Sequence, residues 1–244
     1  MNKIQNYISL LTNNKDLSEK ESIEAFNIIM SGKAKDSQIG AFLSTLKLKG
    51  ETVGEITGGA KVLRNNMKEI KAPIGTMDIV GTGGDSKGTF NISTASAIVT
   101  SSCGIPVAKH GNKAISSKSG AADVLKELGV NINSDINKIE KSLRDLNITF
   151  LNAPNHHPAM KNVGAIRSEL GIRTIFNILG PLANPARVQK QLTGIYSKKW
   201  VEPITNVLNE LGFKYAWVVH GMDGMDEITT TDSTFVCELK NGST

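Results

Sequence analysis

The chain is poor in aromatic residues, has only two cysteines and contains no long apolar run. Aromatics make up 5% of its 244 residues, and its lysines are scattered rather than interleaved with them. The net charge of +5 therefore leaves only a weak nucleic-acid footprint. It suits a polyanionic ligand or simply an ordinary lysine-bearing surface. Cys103 and Cys237 match no metal-ligand spacing, which points to a reduced, cytoplasmic protein. No stretch of about 18 apolar residues is present, so no membrane helix is expected. The first seven residues, Met1 to Tyr7, lack the apolar core of a signal peptide. No Ser-His or Cys-His arrangement for nucleophilic catalysis is evident. With 39% hydrophobic and 21% interspersed charged residues, the chain can bury a full core as one large or two small domains.

Two rhythms run along the sequence. Residues 1–70 read as short amphipathic helices. Ser18 with Glu21 and Thr52 with Glu55 are capping boxes, each followed by apolar residues at helical spacing (Ile23, Phe26, Ile29, Met30; Ile56, Ala60, Leu63, Met67). Between them lies a helix over about 36–49, stopped by Gly50. Pro73 and Gly75 break this pattern. From Met77 onward strands alternate with helices, which predicts a mostly parallel sheet covered by helices. The fold class is thus α/β: a small N-terminal helical bundle plus a larger domain over 77–244 with a mostly parallel central sheet. A final strand over 233–239 leads into an Asn241-Gly242 turn with no returning strand, as expected of a shortened chain.

The most informative stretch runs from Asp78 to Thr94: a short apolar strand, Gly81-Thr-Gly-Gly-Asp85, then Asn91-Ile-Ser-Thr94 opening a helix. Glycines admit an anion close to the backbone, and free N–H groups at a helix start point at it. The turn is not a Walker motif, for no G-K-[ST] closes it, nor a dinucleotide fingerprint, for its third glycine is misplaced. A tight turn with a Ser/Thr cap reads equally from these residues alone. A second polar loop, Lys109 to Gly120, carries three lysines and several hydroxyls after a predicted strand over 105–109. Asp226 and Glu227, with Asp223 nearby, form a carboxylate group fit for Mg²⁺, which takes one or two carboxylates plus substrate phosphates. His156 and His157 precede a proline and share no helix face, so they read as packing residues. Arg167 and Arg173 could clamp a carboxylate or form surface ion pairs.

Together these motifs resemble the anthranilate phosphoribosyltransferase family of tryptophan biosynthesis. The resemblance rests on Gly81–Asp85, Asn91–Thr94, Lys109–Asn112, Ser116–Gly120, His157–Lys161, Gly171–Pro185 and Asp226-Glu227, in the family's order. It implies a phosphoribosyl pyrophosphate site made of Gly81, Gly84, Asp85, Thr89, Asn91, Ile92, Ser93, Thr94, Lys109, His110, Gly111, Asn112, Lys113, Ala114, Ile115, Ser116, Ser117 and Ala121. Anthranilate would meet Gly81, Asn112 and Arg167. Two magnesium ions are implied, with Ser93, Asp226 and Glu227 as ligands. Lys109 and Asp85 would stabilise the transition state, with no residue assigned as acid or base. Lys113 and Ala121 stand where the family often has Arg and Ser, and family members continue well past Thr244. A hinge or helical return over about 155–188 and a homodimer built through the helical domain are implied, with no nucleic-acid or membrane partner. The rival readings are a pyrimidine nucleoside phosphorylase, a non-catalytic nucleic-acid-binding relative and an inactive fragment.

Overall fold

The computed structural model describes residues 3–85, 87–114 and 119–244. The chain divides into two compact units, one running up to Met67 and including His157–Ala183, the other made of Lys68–His156 and Asn184–Thr244.

The first unit opens with α1 (Lys3–Thr12), α2 (Glu19–Met30), α3 (Asp36–Lys49) and α4 (Val53–Asn65). Both capping boxes form: Ser18 and Thr52 accept from the backbone N–H of Glu21 and Glu55, whose carboxylates reach back. Helix α1 buries one face through Ile4, Tyr7 and Leu11. Phe26 is the hub, meeting Phe42 and Phe176 edge-on, each at 5.8 Å between ring centres. Glu55 is fully buried, and its carboxylate accepts from the Leu17 and Thr52 N–H groups and from Lys49 Nζ. That many donors offset the cost of burying a charge.

The second unit begins with β1 (Met77–Gly81), α5 (Ile92–Ser102), β2 (Val107–Gly111), α6 (Ala121–Glu127), α7 (Ile136–Leu146), β3 (Ile148–Asn152) and the single turn α8 (Ala153–His156). The chain then supplies α9 (Lys161–Leu170) and α10 (Phe176–Leu179) to the first unit. It returns as β4 (Lys190–Gly194), α11 (Val201–Glu210), β5 (Tyr215–Gly221) and β6 (Thr234–Lys240). Strand order is β3-β2-β1-β4-β5-β6, parallel except for the antiparallel β5–β6 pair. The chain moves outward from β1 in one direction and from β4 in the other. Right-handed crossovers therefore put α5 and α11 on opposite faces. Ile79 and Val107 pack with Ala97 of α5, so the odd-numbered residues of β1 and β2 face that helix.

Two boundaries differ from expectation in a way that matters. The second strand runs over 107–111 rather than 105–109, because its five-residue register with β3 ends at Gly111↔Asn152. Lys109, His110 and Gly111 are therefore strand residues, not loop residues. The helix after the glycine turn is capped by Asn91, not by Ser93 or Thr94, and Asn91 makes no side-chain cap bond.

Candidate functional site

The glycine turn leaves β1 beside the carboxyl end of β4, at the point where strand order reverses, a common ligand position in open α/β sheets. Gly83 and Gly84 have φ of +66° and +78°, a region costly for any residue with a Cβ. Gly81 and Gly194 are register partners, and both are small for one reason. A Cβ on Gly81 would lie 2.9 Å from Asp226 Oδ2, and one on Gly194 would lie 2.6 Å from the Asp226 carbonyl carbon. The β5–β6 connection thus lays Asp226 across both strand ends. Its carboxylate accepts the Gly83 N–H at 2.6 Å. Thr82 ties the turn to β4, donating its N–H to the Gly194 carbonyl at 2.9 Å and accepting the Tyr196 N–H on its hydroxyl at 3.0 Å.

Glu227 reaches the start of α5, where its carboxylate accepts the Ser93 N–H. Beneath it, Lys109 is 3% exposed and donates to the Ile79 carbonyl at 2.8 Å and to Ser93 Oγ at 3.1 Å. The buried hydroxyl of Thr94, one residue on, has no hydrogen-bond partner among the described residues. The N–H groups of Gly83, in the glycine turn, and of Ser93, at the start of α5, are thus held by the protein's own carboxylates.

The electrostatics follow from burial and crowding. Burial raises Asp226 to about 8, with Glu227 and Asp85 adding repulsion and the Gly83 N–H opposing. Burial also raises Glu227 to about 7, against Lys109 and the Ser93 N–H, with Asp85 adding to the rise. Lys109 is pushed below its ordinary value by burial, against the attraction of Asp78 and Glu227. Among the described residues no three His, Cys, Asp or Glu side chains form a ready metal cage. Mg²⁺ needs none, because it binds through one or two carboxylates and keeps waters or substrate phosphates. Crowded, protonation-prone carboxylate oxygens beside an unpartnered hydroxyl fit such a cation.

The contacts bring Gly81, Asp85, Ser93, Lys109, Asp226 and Glu227 together, with Gly84, Asn91, Ile92 and Thr94 adjacent in the chain. Thr89 is exposed. His110 is on β2, one residue from Lys109, and so lies on the other face of the sheet. Gly111 approaches Phe150 too closely for a side chain. Asn112 and Lys113 are exposed, while Ala114 N–H donates to Asp123, which also accepts from Gly120 N–H before Ala121. Ile115, Ser116 and Ser117 lie outside the described residues. Arg167 belongs to the first unit, its guanidinium 5.3 Å from the Phe176 ring centre.

Asp223 is engaged within its own loop. The Thr229 and Thr231 hydroxyls donate to it at 2.5 and 2.6 Å and hold it down at about 2. His156 is buried, with Nδ1 2.8 Å from the Lys68 carbonyl, and burial pushes its imidazole below the ordinary value. Sequence reasoning gives no role to Asp78, Thr82, Asn184 or Gly194. The available signal is a charged residue inside the apolar run Met77–Val80.

The match to known proteins covers both units. Residues 74–244 fit the model described as "Glycosyl transferase family, a/b domain", and residues 5–67 the one described as "Glycosyl transferase family, helical bundle domain". An anthranilate phosphoribosyltransferase of Rhodospirillum rubrum is 54% identical over 99% of this chain and 70% of its own length. That of Azospirillum brasilense is 58% identical over 93% and 63%. The chain thus spans only part of the length of these curated relatives. The crystal structure of the Thermus thermophilus enzyme superposes with a TM-score of 0.91 at 37% identity, covering 98% of this chain and 71% of that one. The Saccharomyces cerevisiae enzyme in complex with PRPP and Mg gives 0.89 at 30%, covering 97% and 72%.

Proposed function

The chain belongs to the glycosyl transferase family, carrying both its helical bundle and its a/b domain, and from that membership we propose that it is an anthranilate phosphoribosyltransferase. It moves the phosphoribosyl group of 5-phosphoribosyl 1-pyrophosphate onto the amine of anthranilate and releases pyrophosphate. The observation that carries this reading is the convergence of the glycine turn, the start of α5, Lys109 and the Asp226-Glu227 pair on one point of the sheet. The first two offer backbone donors to a diphosphate, and the last two supply a cation and cation ligands beside it.

An aryl amine is neutral near pH 7, so attack needs no strong base. The difficult part is the negative charge that grows on the departing pyrophosphate as the ribose gains oxocarbenium character. Lys109 holds a fixed ammonium under the Ser93 hydroxyl, and the Gly83 and Ser93 N–H groups become donors to the diphosphate when Asp226 and Glu227 turn away. Ser93, Asp226 and Glu227 would hold magnesium, as two ions, which when bound would supply Lewis-acid neutralisation of the diphosphate. Asp85 borders the same charge, and the exposed loop of Asn112 and Lys113 faces the phosphoribosyl moiety. Arg167 is the candidate partner of the anthranilate carboxylate. The protein works as a cytoplasmic homodimer formed through its helical unit, which light scattering tests.

Loss of anthranilate fluorescence on adding phosphoribosyl pyrophosphate and Mg²⁺ is the direct assay. No loss with saturating substrates and metal rejects the reading. Asp226→Ala with Glu227→Ala is expected to lower turnover by roughly one to three decades, the scale of a strong electrostatic stabiliser. Unchanged turnover removes the pair from the metal site.

A further inference from the structure

The β1–β2 ladder stops early. Its only register pair is Met77↔Val107, whereas β1–β4 and β2–β3 each pair over five residues to the strand ends. In a parallel ladder the next rung would join the Ile79 N–H to the Ala108 carbonyl and the His110 N–H to the Ile79 carbonyl. All four groups are instead satisfied by side chains. Asp78 accepts the His110 N–H at 3.2 Å and the Ile79 N–H. Asn184 donates to the Ala108 carbonyl at 2.8 Å, and Lys109 Nζ donates to the Ile79 carbonyl at 2.8 Å. Asn184 also donates to Asp78 Oδ2 at 2.7 Å, and its own oxygen accepts the Ala186 N–H. Asp78 and Asn184 are both wholly buried. By strand alternation Asp78 enters the gap from one face of the sheet and Lys109 from the face of α5.

We propose that Asp78 and Asn184 are positioning residues for the anion site: they replace one rung of the β1–β2 ladder, hold the two strands apart, and so seat the Lys109 ammonium beneath the glycine turn and the start of α5. A regular parallel pair would spend the Ile79 carbonyl on the His110 N–H and leave Lys109 no acceptor in the sheet. Asn184 is suited to this because its amide donates twice and accepts once, meeting a carboxylate, a carbonyl and an N–H at one point. Buried backbone groups without partners are rare, so the gap persists only while these side chains fill it. Asn184 is also where the chain re-enters the second unit, so the same residue anchors that re-entry and shapes the floor of the site.

The test has two arms, of which only the second rests on the functional reading above. The first is acylation of lysines in the intact protein, read residue by residue by mass spectrometry. Lys109 is protected in the unaltered chain, as is Lys49, whose side chain is 4% exposed and ion-paired in the other unit. Asn184→Ala and the milder Asp78→Asn should each speed Lys109 labelling about tenfold or more, the scale of one hydrogen bond to a charged group, with Lys49 still protected. The second arm is pyrophosphate binding with Mg²⁺ by calorimetry. Asn184→Ala should weaken it about tenfold, and it should weaken it no further in a Lys109→Met background, because the effect runs through that ammonium.

Unchanged Lys109 labelling in both variants overturns the proposal. So does an equal loss of pyrophosphate affinity with and without Lys109, or failure of both variants to fold while Lys109→Met folds. An unaltered chain that binds no pyrophosphate counts against the functional reading alone, and the labelling arm still decides the role of Asp78 and Asn184.

Discussion

Gly194→Ala is the sharpest available test of how the acidic pair is placed. The added methyl would sit 2.6 Å from the Asp226 carbonyl carbon and closer still to its oxygen, where ordinary contact begins at 3.4 Å. The obstacle is backbone, so no rotamer change relieves it. Asp226 must retreat by more than about 1 Å, and a shift of about 1 Å is already large enough to cost on the order of a hundredfold in turnover when it misplaces reacting groups. Retreat lengthens the 2.6 Å bond from Gly83 to the Asp226 carboxylate. Loss of a hydrogen bond to a charged group costs about 1.5–3 kcal/mol, and overpacking adds about 1–3 kcal/mol. Those sums are a large share of the roughly 5–15 kcal/mol that holds a domain folded. Urea unfolding reads the stability loss, and magnesium titration of turnover reads the displacement. Gly164→Ala is the control: that helix position has open space around it and no positive φ, so alanine should be neutral or gain about 0.5–1 kcal/mol. A Gly194→Ala protein with an unaltered unfolding midpoint would refute the geometry, and one with unaltered magnesium dependence would refute its link to catalysis.

Further expectations follow from the same contacts. Asp226 and Glu227 favour their protonated forms in the fold, near 8 and 7. The stability they contribute is therefore full below their unfolded values of about 4 and is lost as pH rises through 7 and 8. Asp78, raised to about 6, acts in the same direction. Calorimetry without ligand should show melting temperature falling from mild acid to pH 8, and Asp226→Asn should flatten that fall; an equally steep slope in the variant speaks against it. Arg167→Ala should raise the anthranilate KM by about ten- to a hundredfold, the scale of a charged hydrogen bond, and an unchanged KM removes it from that site. Asp223→Ala should disturb the β5–β6 connection, where Thr229 and Thr231 hold it, but leave magnesium dependence intact; a weakened metal response would restore it as a ligand. Ser18→Ala, which removes the cap of α2, should cost about 1 kcal/mol in urea unfolding.

Local chemistry makes much of this protein legible in the chain alone. The capping boxes at Ser18 and Thr52, the change from helical to alternating rhythm at Met77 and the glycine turn all express themselves over a few residues. That is the range over which propensity and turn chemistry act. The α/β class and the family resemblance rest on such short signals taken in order. The apolar spacing of Ile4, Tyr7 and Leu11 along α1 is a signal of the same local kind.

Tertiary structure decided what depends on residues far apart in the chain. Whether Lys109 belonged to a loop or a strand turned on its register with β3, a pairing invisible to local pattern. The smallness of Gly194 has its cause in Asp226, which no spacing rule connects to it. The missing β1–β2 rung is filled by Asp78, Lys109 and Asn184, drawn from three separate segments. The sequence by itself determined which elements form and which groups could hold a diphosphate. Only the fold decided that two of those donors are taken by Asp226 and Glu227, and that the ammonium beneath them is held in a gap between strands. Burial raises the cost of each unmatched charge and polar group, and so selects the one arrangement that pairs them.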